Sequence, residues 1–519
     1  MRRALLALAL LLSLSGAAAG QSWPSERPPR PLEPHPVNFA HYELRTLPNG
    51  LNVVVVRQSE QPVISVRMLI RAGSAQDPAS KPGVASMVAA LLDQGTATRS
   101  ASDIADAIDF MGGGLGLGAG TDLSYANTIL LQSNFEEGIQ LLADVIRRPA
   151  FTDEEVERQR EQVLSGLKVS YQDPDYVAAA VVERLIFGFH PYGQPGNGTP
   201  ESVRSITRDD LVAFHARWYH PNNALIAVVG DVSVEKALAT VEKTFGDWPR
   251  GAVPFVTPSD PPEPTKRVVV VDKPGSVQTE IRVGQIAIRR DHDDYLPLNI
   301  AVKILGGEGG NRLQGVLRSD RGLTYGASAD MDAFQRSGSI IADTDTRTET
   351  TVEALKLTVG EFVRLQQEAV SERELGAAQA FLAGNFALTI ETPDAIALKV
   401  LNALFYGLNL KELPAYPDEV NRVTPEDIQR VSRAYLRPSR LSIALVGDST
   451  KFLPELRKAG FEPEVVKIDD LDLSSATFAH VKRAASLTAP AASPAVAAAV
   501  AGPAVASASA VARPAAPAR

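Results

Sequence analysis

Cysteine is absent from the 519 residues. Disulfides, thiolate zinc sites, iron–sulfur clusters and a cysteine nucleophile are therefore excluded, and any metal must be held by His, Asp or Glu. Histidine is scarce as well. The seven are His35, His41, His190, His215, His220, His292 and His480, and no two form a helical i, i+4 pair beside a carboxylate, as a two-histidine zinc site needs. An excess of positive charge is also missing: 52 Lys plus Arg face 61 Asp plus Glu, for a net charge of −9 and a pI near 5.5. That balance argues against an extended phosphate-binding surface and so against a nucleic-acid partner. Past the N-terminus no apolar run approaches the roughly 20 residues that a bilayer demands, so no membrane span is expected.

What is present is an ordinary folding composition, 45% hydrophobic and 22% charged, over a length that allows two large domains or about three of ordinary size. The ends differ from the middle. Met1-Arg2-Arg3, the apolar run Ala4 to Leu14 and the small residues Ser15 to Ala19 follow the order of a secretory signal peptide. The expectation is a signal peptide at 1–19, an exported, periplasmic protein, and a proline-rich lead-in at 20–40, where Gln21 to Pro36 holds six prolines. From 474 to 519 the chain turns to Ala, Pro, Ser and Val, with no acidic residue after Asp472. That composition reads as a disordered tail.

An internal repeat organises the rest. Shifting the sequence by 217 positions aligns Ile206-Thr207-Arg208-Asp209-Asp210-Leu211 with Val423-Thr424-Pro425-Glu426-Asp427-Ile428, and then Leu225 to Asp231 with Ser442 to Asp448, without a gap. Thr207 and Thr424 suit helix N-caps, with acidic residues in the first turn, and each helix leads to a buried strand closed by Gly-Asp. A tandem duplication follows. The copies span 41–251 and 266–473, joined by a proline-rich linker at 252–265. Strands such as Leu51 to Val56, Val63 to Arg71 and Val268 to Val271 mix with helices such as Phe135 to Arg147. The expected fold is α+β, two homologous lobes forming a clamshell.

In the first copy, Gly83-Val84-Ala85-Ser86-Met87-Val88-Ala89-Ala90 runs as a helix toward Gly95-Thr96. This stretch resembles the pitrilysin/insulinase family of zinc metallopeptidases, the inverzincins. Their H-x-x-E-H helix places two histidines on zinc and a Glu as general base. Here those slots hold Ser86, Ala89 and Ala90. The family's third ligand, a Glu on a later helix, falls on Gly166 within Val163-Leu164-Ser165-Gly166-Leu167. The resemblance implies a degenerate metal site, with no metal bound by this chain. Small packing residues explain the same positions without reference to a metal.

The second copy keeps its motif. Val316-Leu317-Arg318-Ser319-Asp320-Arg321-Gly322-Leu323-Thr324-Tyr325-Gly326 looks like the family's second-half motif, in which an Arg and a Tyr seven residues apart reach across the clamshell to substrate. Those residues are Arg318 and Tyr325, with Gly322 expected to end a helix and Tyr325 to start a strand. A guanidinium and a phenol so aimed can hold a peptide carbonyl and stabilise its oxyanion. The segment Met111 to Thr121, with six glycines in eleven residues, falls where the family has its substrate-pairing strand but lacks the usual Asn-Ala step. It reads equally as a mobile peptide-binding loop or a flexible edge. A Gly-x-Gly-x-x-Ala match within it is not flanked by the strand-turn-helix unit of a dinucleotide site.

Together these readings imply a non-catalytic, substrate-binding subunit of an exported heteromeric zinc metallopeptidase. It offers Arg318 and Tyr325 to a homologous partner that carries H-x-x-E-H and the zinc, with a peptide as substrate. The alternative is a peptide-binding or scaffold protein with no role in proteolysis. Nothing in the sequence supports a serine triad.

Overall fold

A computed structural model describes residues 39, 41–254, 260–261, 266–307 and 310–480. The expected signal peptide at 1–19, nearly all of the lead-in, most of the linker's prolines and residues 481–519 of the tail lie outside them. Strands β1 (Tyr42–Thr46), β2 (Asn52–Arg57), β3 (Val63–Ile70), β4 (Gly114–Ala119), β5 (Ser124–Leu131) and β6 (Ala224–Gly230) form one sheet in the order β1-β2-β6-β3-β5-β4. Strands β7 (Val268–Asp272), β8 (Gln278–Ala287), β9 (Ala327–Ala333), β10 (Gly338–Arg347), β11 (Ser442–Gly447) and β12 (Pro463–Lys467) form the second, in the order β12-β7-β11-β8-β10-β9. Five strands of each sheet correspond, as the duplication requires. The sixth differs: β1 enters from the N-terminal side antiparallel to β2, whereas β12 comes from the C-terminal side parallel to β7.

The helices Arg208–Trp218 and Pro425–Tyr435 occupy equivalent places and begin with the same device. Each threonine hydroxyl accepts the N–H of the third residue of its helix, Thr207 from Asp210 at 3.3 Å and Thr424 from Asp427 at 3.2 Å. The aspartates in turn accept the threonine N–H groups at 2.7 and 3.1 Å. These are capping boxes, and they satisfy donors that a helix start leaves free.

The central strands are apolar on both faces. Val53, Val54, Val55 and Val56 are all fully buried, and so are most residues of β6, β7 and β11. A strand with one wet face alternates, so these must be covered twice. Helices of the same lobe cover one face: Val53, Val55, Val66 and Val228 pack with Val88, Leu142 and Val241. The other face is covered by a helix from the other half of the chain. Pro393–Phe405 lays Ile396, Ala397, Val400 and Leu401 on Val54, Val56, Leu225 and Ala227 of the first sheet. Reciprocally, Pro174–Phe187 lays Val177, Ala178, Val181 and Val182 on Val269, Val271, Ala444 and Val446 of the second. The lobes thus exchange helices.

Each exchanged helix starts Pro-Asp, and each aspartate meets an arginine on the sheet it crosses. Arg67 of β3 donates to Asp394 through Nη2 at 2.9 and 3.0 Å and through Nε at 3.3 Å, and Ser65 Oγ adds a bond of 3.1 Å. Arg282 of β8 pairs with Asp175 and, at 2.8 Å, with Asp343. A third tie joins the hairpin ends. Asp122, between β4 and β5, is buried and accepts the Tyr192 hydroxyl at 2.8 Å and the N–H of Gln335, between β9 and β10, at 2.7 Å.

The chain stays on the second lobe past Leu473. Leu471 bridges to Ala479, and Phe478 is buried with Leu471, Leu473 and Val466. Among the described residues, no helix is long and apolar enough to cross a membrane.

Arg67 is well buried and its loss strands Asp394 at the lobe junction. Arg67→Ala is expected to lower unfolding free energy in urea by about 2–3 kcal/mol, below the range for a fully buried pair because Asp394 keeps some exposure. The Arg67→Ala/Asp394→Ala double variant should lose less than the sum of the two singles.

Candidate functional site

The slot helix is Val84–Leu91. Gly83 precedes it with φ +104°, a left-handed turn that glycine permits at no steric cost. Asp77 then caps the helix, accepting the N–H of Gly83 at 2.7 Å and of Ala85 at 2.8 Å. Burial pushes this carboxyl up to about 7, against the pull of those bonds. After the helix, Gly95 has φ +114° and the Thr96 hydroxyl donates at 2.8 Å to Asp144, a buried carboxylate that also binds Thr98, Arg99 and Arg148. Thr96, Thr98 and the two arginines hold Asp144 below the usual carboxylate range against its burial. The Gly-Thr turn therefore anchors the helix.

On that helix Ser86 is half-buried and its hydroxyl donates at 2.9 Å to the Gly196 carbonyl. Ala89 is buried and Ala90 is half-buried. Gly166 lies on the Asp153–Ser170 helix, exposed, with open space where a Cβ would stand. Among the described residues no group of three His, Asp or Glu could hold a metal ion. Ser86 has only a hydroxyl, and Ala89, Ala90 and Gly166 have no donor atom, so these four slots do not fit zinc.

Arg318 lies on a single π-helical stretch, Gln314–Asp320, a form enriched at functional sites. Gly322 follows with φ +61° and donates to the Arg318 carbonyl at 3.0 Å. Tyr325 does not start a strand. It sits in the turn before β9, where the Thr324 hydroxyl bonds both the Gly326 N–H and the Gly326 carbonyl and leaves the intervening phenol facing outward. Tyr325 is 86% exposed, and neither its hydroxyl nor the exposed Arg318 guanidinium makes a polar contact with a described residue.

Arg318 borders a cavity of about 790 Å³ on the second sheet, lined also by Glu280, Arg282, Lys303, Asp343 and Asp345. Glu280 is pushed up to about 7 by burial and by Asp345. Ser86 borders a different cavity, of about 170 Å³, and no residue lines both. Within this chain, then, the Arg-Tyr turn and the slot helix do not meet in one site.

Of the two readings of the glycine-rich segment, loop or edge, the structure shows an edge. It forms β4, an edge strand paired only to β5. Leu115, Leu117 and Ala119 pack toward the lobe's own core, and Gly114, Gly116 and Gly118 take the other face. A Cβ at Gly116 would stand 2.6 Å from Asn127 Oδ1, and one at Gly118 would strike the Tyr125 hydroxyl. The glycines leave room for these cross-strand side chains. The free edge of β4 offers backbone N–H and C=O groups to an added strand. Sequence reasoning missed Glu183, Glu280 and the paired Asp175 and Asp394. Only the repeated Pro174-Asp175 and Pro393-Asp394 steps signalled any of them.

Both lobes are similar to known proteins. Residues 52–199 match the family described as insulinase (peptidase family M16), and residues 205–382 match that described as peptidase M16 inactive domain. An uncharacterized zinc protease of Mycobacterium bovis is 28% identical over 423 residues, 80% of this chain and 95% of its own. A non-peptidase homolog of Helicobacter pylori is 23% identical over 398 residues, 75% of this chain and 90% of its own. The crystal structure of a peptidase M16 inactive domain from Pseudomonas fluorescens superposes with a TM-score of 0.74 at 29% identity, covering 78% of this chain and 98% of that one. The chain belongs to peptidase family M16, the insulinase family, as a member of the non-catalytic type.

The raised Asp77 gives a test of the helix cap. A carboxyl that titrates higher in the folded than in the unfolded state, where the value is near 4, stabilises fully below about pH 4. That contribution is lost as pH rises through 7. Asp77→Asn lacks this loss, so its stability deficit against the wild type should shrink between pH 5 and pH 8 in urea titrations. A deficit constant with pH would show that Asp77 is ionised across the range.

Proposed function

We propose that this chain is the substrate-binding half of a two-chain zinc peptidase, exported from the cell, in which a homologous partner supplies H-x-x-E-H and zinc. One asymmetry carries the reading: all four metal and base slots lack a ligand, while Arg318 and Tyr325 stand exposed and uncommitted beside a large polar cavity. A guanidinium and a phenol kept without internal partners are available to a substrate held by another chain. In the mixed complex they would hydrogen-bond the scissile carbonyl and take up the negative charge that develops on it, while zinc held by the partner's H-x-x-E-H would supply the activated water. The open edge of β4 supports peptide binding by strand addition. Export rests on the N-terminal charge and apolar pattern, and the first residue of the mature protein, read by N-terminal sequencing, tests it.

Copurification from native cells tests the partnership. A similar-sized chain bearing H-x-x-E-H in stoichiometric amount supports it. A lone homo-oligomer, or a partner without that motif, favours the scaffold reading instead. In the mixed complex, Arg318→Ala and Tyr325→Phe are expected to lower kcat by about 10²–10³-fold, the range for losing an oxyanion donor, without preventing assembly. Unchanged turnover in both would end the assigned role.

A further inference from the structure

The slot helix borders the 170 Å³ cavity, which no role assigned so far uses. Its polar lining includes Ser74, Ser86, Glu183, Gln194, Asn197 and Ser339. Glu183 is the one charged residue of the lining. It projects from Pro174–Phe187, the helix lent to the second lobe, and is half-buried. It forms no hydrogen bond or ion pair with any described residue. The charge that acts on it is Asp332 of β9, another acid, and Tyr192, the titratable neighbour in the lining, has its hydroxyl committed to Asp122. Burial and Asp332 together push Glu183 up to about 7.

A partly desolvated carboxylate is costly unless a cation or donors compensate it. Elsewhere at the lobe junction this chain supplies them: Asp394 has Arg67, Asp175 has Arg282 and Asp122 has two donors. At Glu183 the compensation is missing. The Ser86 hydroxyl spends its proton on Gly196 and presents lone pairs to any guest. The lining is therefore complementary to a group with several N–H donors and positive charge. Ala119 and Gly120, where β4 ends, also border the cavity. A strand added to the free edge of β4 would deliver a side chain to this place.

We propose that the cavity beneath the vestigial metal helix receives the cationic side chain of a bound peptide, the ammonium of lysine or the guanidinium of arginine, on the carboxylate of Glu183. This rests on the peptide-binding reading above and adds a substrate class to it: peptides with a basic residue opposite the end of β4. Replacing the zinc ligands by small residues then has a consequence beyond loss of catalysis. It leaves space beside Ser86 for an organic cation.

The probe is n-butylammonium, which carries the lysine head without a peptide. In the full chain, the Glu183 carboxyl is followed by carbon NMR and assigned by its disappearance in Glu183→Gln. Its titration midpoint should fall by at least one pH unit in saturating n-butylammonium chloride relative to sodium chloride of equal ionic strength, and n-butanol should leave it in place. Glu183→Gln should bind n-butylammonium at least tenfold more weakly. Ser86→Leu, which fills the cavity and keeps the carboxylate, should abolish the shift and serves where the Gln variant does not fold. A midpoint equal in both salts, or an equal response to n-butanol, overturns the proposal. So does equal binding by the wild type of two peptides that differ only by lysine against norleucine. The outcome is separable from the subunit role, because turnover in the Arg318 and Tyr325 variants is read in the other cavity and in the presence of the partner.

Discussion

The structure depends on one constraint: its central strands are apolar on both faces, so each sheet needs a cover that its own lobe does not provide. Val54, Val56, Leu225 and Ala227 face away from the first lobe's helices, and the Pro393–Phe405 helix is what keeps them from water. The second lobe solves the same problem with Pro174–Phe187. Hydrophobic burial fixes how the halves fit, and the arginine–aspartate pairs fix the register of each crossing helix. Any change in the angle between the lobes must slide an apolar helix over an apolar sheet and break charged contacts. Large opening movements between the two lobes are therefore disfavoured.

Once the lobes are locked, duplication leaves two related but unlike walls. The arginine is retained at both junctions, while its neighbour two residues earlier on the strand changes from Ser65 to Glu280. On the second sheet Glu280, Asp343 and Asp345 share one cavity. On the first, the matching positions of β3 and β5 hold Ser65, Asn127 and Ile129, and β4 at the edge beyond them alternates glycine. The first wall offers backbone and the second offers charge. In the proposed role, a peptide would have its main chain met by the first wall and its side chains by the second.

Much of this was visible in the sequence. The 217-residue offset predicts both threonine caps and the β6 and β11 strands, because capping and two-sided burial leave strong local marks. Ser86, Ala89, Ala90 and Gly166 carry no imidazole or carboxylate, which the sequence states whatever the fold does with them. The helix exchange was not legible. Pro174-Asp175 and Pro393-Asp394 stand 219 residues apart, off the main offset, and nothing local to an amphipathic helix states which sheet it covers. Tyr325 was expected to begin a strand, yet the hydroxyl of Thr324 closes a turn there first. The glycines at 112–120 left loop and edge undecided, because the side chains that use the space, Asn127 and Tyr125, lie on the neighbouring strand. Glu183 gave no signal, since its character comes from the absence of a cation in three dimensions.

The exchange also sets an order on synthesis. When residue 251 leaves the ribosome the first lobe has all six of its strands, but the face bearing Val54, Val56 and Leu225 waits for a helix that ends at Phe405. At about 5–20 residues per second, that wait is roughly 10–30 s. The half that emerges first stays short of its final packing until the other half arrives.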